Sequence, residues 1–115
     1  MPAAKSEGGK PPAVIGEREL VIGFRLIGFR NTVITDEKSA ARDFQKVFDS
    51  GMHSLILASR KIQNVLPESL RKAAEQSIDP LVVFLPTPGA GEEPESVATL
   101  AKRVLGVSLE TLVAP

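Results

Sequence analysis

Apolar residues in this chain gather into four short runs, and between the runs they recur every three or four positions. The runs are Ala13-Val14-Ile15-Gly16, Asn31-Thr32-Val33-Ile34-Thr35, Ser54-Leu55-Ile56-Leu57-Ala58 and Leu81-Val82-Val83-Phe84-Leu85. Each has the length of a strand, and three are apolar without alternation, as expected of strands covered on both faces. The first ends on Gly16 and leads into Glu19-Leu20-Val21-Ile22-Gly23-Phe24-Arg25-Leu26-Ile27-Gly28, a mostly apolar helix stopped by its second glycine. Gly23 inside that helix costs about 1 kcal/mol relative to alanine, a cost that close approach of the helix to a sheet explains.

The remaining segments have helical spacing. From Glu37 to Asp49, Ala40, Ala41, Phe44, Val47 and Phe48 share one face, and Lys38, Arg42, Gln45, Lys46 and Asp49 the other. Asp36 precedes this helix as its expected N-cap, and Ser50-Gly51 ends it. Between Lys61 and Ser77 the stripe is Ile62, Leu66, Leu70, Ala73 and Ala74, interrupted by Pro67. The proline predicts a short helical turn ending near Val65 or Leu66 and a longer helix restarting with Pro67 in its first turn. After the fourth run, residues 86–93 form a Pro/Gly-rich loop. A last amphipathic helix runs from Pro94 to Leu105, with Val97, Leu100, Ala101, Val104 and Leu105 on one face and Gly106 as its stop. Glu92, Glu93 and Glu95 at its start and Lys102 and Arg103 in its last turn complement the helix dipole.

The order is βαβαβαβα, which predicts an α/β fold: a four-stranded parallel sheet flanked by helices, with a C-terminal amphipathic helix. Residues 1–12 read as a disordered N-terminal extension, 13–85 as the sheet domain, 86–93 as the loop and 94–115 as the C-terminal helix and tail. Beyond Gly106, Val107, Leu109, Leu112 and Val113 add apolar side chains that a four-stranded domain has little room to bury.

Composition narrows the function classes. One domain is expected of 115 residues. Fourteen basic residues balance 14 acidic ones, and no Trp or Tyr is present. The balanced charge and the missing stacking platforms argue against a nucleic-acid partner. Without cysteine there is no disulfide, thiol nucleophile or thiolate metal site. No apolar run approaches the ~20 residues of a membrane span, so any membrane association is through a partner.

A strand, a glycine turn and a helix begin many nucleotide-binding and signalling domains, but the side chains that such chemistry needs are missing. Gly16, Gly23 and Gly28 are too widely spaced for a dinucleotide fingerprint, and no phosphate-binding G-x-x-x-x-G-K-[ST] loop occurs. Asp36 falls 20 residues after Gly16, where a ribose-binding acid would stand, but a helix cap explains it better. A phosphoacceptor receiver needs a carboxylate at the end of the third strand. That strand ends in Ala58-Ser59, although Gly16-Glu17 half fits the acidic position after the first. Ser59 has no histidine in a position to act as its base. His53, the single histidine, has no companion ligands, and a loop or strand-edge role suits it better. Arg60, Lys61, Arg71, Lys72 and Glu75 read as a solvated helix face. No catalytic, cofactor-binding or metal-binding residue is therefore assigned.

The run Ala13-Val14-Ile15-Gly16-Glu17, followed by Gly23-Phe24-Arg25-Leu26-Ile27-Gly28, resembles the N-terminal signature of the F subunit of archaeal-type (A-type) and vacuolar-type (V-type) rotary ATPases. The resemblance continues through Ile62-Gln63-Asn64-Val65-Leu66-Pro67-Glu68 and Pro80-Leu81-Val82-Val83 into Lys102-Arg103-Val104-Leu105-Gly106-Val107. It spans about residues 13–109. Leu20, Ile22 and Ile27 depart from the family's usual residues, as do the N-terminal extension and the loop after Leu85.

The resemblance implies a non-catalytic subunit of the central rotor stalk. It would clasp the coiled coil of the stalk's D subunit beneath the catalytic A/B hexamer and help couple ATP chemistry to ion translocation. It would lie peripherally on the cytoplasmic side of the membrane. The expected contact is the C-terminal helix and tail, through Val97, Leu100, Val104, Leu105, Val107 and Leu109. The residues alone also leave open a degenerate receiver-like or small-ligand-binding regulatory domain.

Overall fold

The computed structural model describes residues 10–86. Four strands, β1 (Ala13–Gly16), β2 (Asn31–Ile34), β3 (Leu55–Ser59) and β4 (Leu81–Leu85), form one parallel sheet in the order β2-β1-β3-β4. The helices between them are α1 (Arg18–Leu26), α2 (Ala40–Asp49), α3 (Arg60–Val65) and α4 (Glu68–Gln76). The doubly covered parallel sheet is the α/β architecture expected from the hydrophobic runs. The expected C-terminal helix and tail, with the loop that leads to them, lie outside the described residues apart from Pro86.

The strand order follows from how the chain turns. From β1 the chain crosses to β2 on one side, then returns past β1 to lay down β3 and β4 on the other. Right-handed crossovers place α1 on one face and α2, α3 and α4 on the opposite face. The buried residues divide accordingly. Ile15, Ile56 and Ala58 pack with Ala40, Phe44, Ile62, Leu66, Leu70 and Ala74. Val14, Leu57 and Leu85 pack with Leu20 and Phe24 of α1. Neighbouring residues of β1 and of β3 thus serve opposite cores, which is why their sequences carry no polar alternation. Phe44 is the centre of the larger core, with rings of Phe48 and Phe84 stacked at 5.6 and 6.3 Å.

Glycine sets the end of α1. Gly28 has φ of +109°; its N–H donates to the Arg25 carbonyl at 3.0 Å, and that of Phe29 to the Phe24 carbonyl at 3.1 Å. These two bonds satisfy carbonyls that the helix end leaves free, and the Phe24 and Phe29 rings meet edge to face at 5.1 Å beside them.

Four local expectations need correction. The second helix begins at Ala40, not Glu37. Asp36 does not cap it directly: its backbone and side-chain oxygens both accept from the Ser39 N–H, at 3.2 and 2.9 Å, closing a turn over the residues between. A short acidic side chain competes in this way with the first helical turn. Ala73 is exposed, while Leu70 and Ala74 of the same helix are buried, because only the nine-residue α4 after Pro67 sets the face. Pro67 itself stands at the N-cap of α4, one position earlier than expected.

Lys10 and Pro11, at the start of the described chain, are tied to the sheet domain. The Lys10 carbonyl accepts from the Ser54 hydroxyl at 2.9 Å. His53 Nδ1 lies 2.9 Å from the Pro11 carbonyl. A carbonyl only accepts, so Nδ1 carries the proton in this bond. His53 thus fastens a loop to the segment before β1, in keeping with the loop role read from the sequence.

Candidate functional site

The direction of chain progression reverses between β1 and β3, and their carboxyl ends open a crevice where the following segments leave toward opposite faces. Ligands of open α/β sheets bind at this point. Here the crevice is bounded by Gly16-Glu17 after β1, Thr35 to Lys38 after β2 and Ser59 to Ile62 at the end of β3.

The backbone closes tightly at its centre. A Cβ on Gly16 would lie 2.9 Å from Leu20 Cδ2 and 3.3 Å from Ser59 Cβ, so a side chain at position 16 would crowd α1 and the end of β3. Ser59 is wholly buried, and its Oγ accepts from the Ile62 N–H at 3.2 Å. It is the N-cap of α3, satisfying a donor that a six-residue helix otherwise leaves bare. The hydroxyl is occupied in holding the turn, and no base is positioned against it among the described residues.

Beside this centre lies a cleft of about 400 Å³ lined by Glu17, Thr35, Asp36, Glu37, Lys38, Ala40, Lys61, Ile62 and Val65. Ile62 and Val65 supply an apolar wall, and the charged residues supply both signs. Both Glu17 carboxylate oxygens expose less than 1 Å² and accept no hydrogen bond among the described residues. Neither Lys38 nor Lys61 forms an ion pair with it; the described pairs are Arg42 with Asp43 and Lys72 with Glu68. Among the described residues, no three His, Cys, Asp or Glu side chains converge as a metal site would require.

One polar contact stiffens the edge of the cleft. The Thr35 hydroxyl donates to Asp43 Oδ2 at 2.7 Å, joining the end of β2 to α2. That bond, with Arg42 beside it, holds the Asp43 carboxyl below the ordinary carboxylate range. In the same helical layer, Gln63 Nε2 donates to Glu75 Oε2 at 2.9 Å and ties α3 to α4, so Glu75 is not simply a solvated charge.

Of the residues singled out in the sequence, the fold brings Glu17, Asp36, Ser59 and Lys61 to this rim. His53 lies away from it, at the other end of β3. The six expected contact residues, Val97, Leu100, Val104, Leu105, Val107 and Leu109, lie outside the described residues. Sequence reasoning missed Thr35, Lys38, Ile62 and Val65 as cleft residues and the Thr35–Asp43 bond. The signal that could have found them is the strand order, which fixes where three loops meet. No helix among the described residues is long and apolar enough to cross a membrane.

Comparison with known proteins extends the picture beyond the sheet. A family model described as ATP synthase (F/14-kDa) subunit matches residues 13–104. The F subunit of the A-type ATP synthase of Thermoplasma volcanium is 42% identical over 96 residues, covering 84% of this chain and 91% of the relative. That of Methanosarcina acetivorans is 38% identical over 99 residues, covering 84% of this chain and 95% of its own. Among solved structures, the F subunit of the V-type ATP synthase from Archaeoglobus fulgidus aligns with a TM-score of 0.59. It does so at 21% identity over 64% of this chain and 94% of that one, a likeness of fold.

Proposed function

Since the chain belongs to the ATP synthase (F/14-kDa) subunit family of the A- and V-type enzymes, we propose that it is a non-catalytic element of the central rotor stalk. In this reading it binds the coiled coil of the stalk's D subunit below the A/B hexamer. It turns with that stalk and helps couple ATP synthesis or hydrolysis to ion translocation, on the cytoplasmic side of the membrane. The observation that carries the proposal is the family match, which runs from β1 through residue 104 and so takes in most of the C-terminal amphipathic segment.

The physics of the described domain supports it. A stalk element needs stiffness and an adhesive surface, not a reactive pocket. Stiffness comes from a sheet buried on both faces, with Ile15, Ile56 and Ala58 fully enclosed. Among the described residues of the rim, the Ser59 hydroxyl caps α3 and the Thr35 hydroxyl donates to Asp43. The Ser59 cap weighs against a receiver-like reading, because the end of β3 offers a capping serine and no phosphate-accepting carboxylate.

In this reading the grip falls on the apolar residues of the C-terminal segment, at Val97, Leu100, Val104, Leu105, Val107 and Leu109, which the sequence pattern groups as a helical stripe and tail. The test is co-expression with the coiled-coil stalk subunit followed by size-exclusion chromatography. The two chains are expected to elute as one complex, and Leu100→Glu with Val104→Glu to separate them. Elution of wild-type chain apart from the stalk subunit refutes the reading. A complex indifferent to both substitutions moves the contact elsewhere.

A further inference from the structure

Arg25 and Leu26 are the side chains of α1 that the fold leaves unused. They belong to the Gly23-Phe24-Arg25-Leu26-Ile27-Gly28 element, whose other members serve the structure. Gly23 and Phe24 are buried, and the N–H groups of Ile27 and Gly28 close the end of the helix. Leu26, by contrast, is 55% exposed. Arg25 is exposed too, and its Nε donates to the Thr32 hydroxyl of β2 at 2.8 Å. That bond orients the guanidinium plane and leaves the Nη donors for another acceptor. Arg18 and half-buried Ile22 extend the stripe, since positions 18, 22, 25 and 26 share one helix face. Exposed Arg30 follows just beyond it. The ion pairs among the described residues are those of Arg42 and Lys72, so none of these three arginines has a carboxylate there. Arg18 stands at the first position of α1, where a cation opposes the helix dipole, so helix stability does not explain it.

We propose that this face of α1 docks a helix of a neighbouring protein chain, one that sets carboxylates beside an apolar stripe of its own. The inference rests on the stalk reading above, in which that chain is another ATPase subunit, and deepens it with a contact on the sheet domain itself. Charge selects the occupant. From residue 18 to residue 34 the chain carries three arginines and one acid, Glu19, so the complementary surface is acidic. A guanidinium held in plane takes a carboxylate with two parallel hydrogen bonds. Ile22 and Leu26 supply the apolar seam that helix docking uses. A second copy docked by the same face across a two-fold axis would set arginine against arginine. A nucleic acid is disfavoured by the balanced charge and the missing Trp and Tyr. A lipid surface calls for a broader apolar face than Ile22 and Leu26 offer.

Two measurements on the full chain test the face. The first is rebinding to ATPase complexes stripped of this subunit, at a series of salt concentrations. Leu26→Asp, which leaves the Arg25–Thr32 bond in place, is expected to bind about tenfold more weakly, because it repels acids and breaks the seam. Arg18→Ala with Arg25→Ala is expected to lose much of the salt dependence of wild type. Lys46→Ala, at an exposed cation of α2 on the opposite side of the sheet, is expected to change neither. Wild-type rebinding by Leu26→Asp, or an unchanged salt dependence in the arginine variant, overturns the α1 contact and leaves the stalk reading intact. The second measurement is photocrosslinking in cells from benzoylphenylalanine in place of Leu26, with the joined peptide identified by mass spectrometry. An acid-bearing helical segment of an ATPase subunit is the expected peptide. Joining to residues 87–115 of the same chain, to a segment without acids, or to no protein overturns the proposal. So does binding of the full chain to phosphatidylglycerol vesicles that the arginine variant loses, which would assign the face to lipid. Failure of wild type itself to rebind sinks the stalk reading, and the crosslinked peptide then decides the α1 contact by itself.

Discussion

Replacing Ser59 by alanine separates a structural rim from a reactive one. The substitution removes one oxygen from a residue with no exposed surface and leaves the Ile62 N–H, at the third position of α3, without its acceptor at 3.2 Å. Ile62 is itself only 4% exposed, so water does not readily replace the lost bond. Loss of a serine cap costs about 0.5–2 kcal/mol, and a buried amide left bare about 1–3 kcal/mol. These describe one event from two sides and are not summed. We expect a loss of about 1–2 kcal/mol, equivalent to a fall in Tm of roughly 5–10 °C for a domain of this size. No new clash enters, because the Cβ beside Gly16 is already present. Urea unfolding followed by far-UV circular dichroism measures it, since a chain without Trp or Tyr gives no useful fluorescence signal. The midpoint should shift and the slope should not. An unchanged midpoint refutes the cap. Unchanged stability with lost assembly would mean that the hydroxyl faces a ligand or partner.

Two further outcomes follow from the same geometry. Gly28→Ala places a side chain where φ is +109° and nothing lies within 4 Å, so the cost is backbone strain alone, about 1–2 kcal/mol, measured by thermal unfolding; a loss below the error of the scan contradicts the assigned turn. Thr35→Val removes the hydroxyl that depresses the Asp43 carboxyl. A depressed folded-state pKa stabilises the fold above the ordinary carboxylate pKa, near pH 4, and this share is lost as pH falls through the depressed value. Wild type should therefore lose stability more steeply than Thr35→Val below about pH 4, and identical slopes in acid unfolding curves would discard the assignment.

The sheet was legible because its cause is local. Residues 13–16, 55–59 and 81–85 are short apolar runs between turn residues, and a strand covered on both faces leaves that trace. The helix faces were legible where the helix was long enough to repeat, as with Phe44 in α2. They were misread where it was not, as with Ala73 after Pro67. The start of α2 was hidden because Asp36 caps a turn and a helix with the same side-chain chemistry. Strand order is not written in any single run, and with it went the cleft: Thr35 and Ile62 meet only because β1 lies between β2 and β3. Burial of the Glu17 carboxylate has no sequence signature at all, since an acid after a glycine turn is as often solvated. Family membership was legible in the Gly16-Glu17 and Gly23-Phe24-Arg25-Leu26-Ile27-Gly28 elements, which fall within the family match.

On the proposed reading the chain acts by grip, as one part of a rotary assembly, and not by chemistry of its own. The direct measurement is affinity purification of the tagged full chain from native membranes, with the bound proteins identified by mass spectrometry. Recovery of the coiled-coil stalk subunit together with the A and B subunits, in constant proportion, is the predicted result. A chain recovered free of ATPase subunits, or carrying a tightly held nucleotide or phosphoryl group in their place, would contradict it.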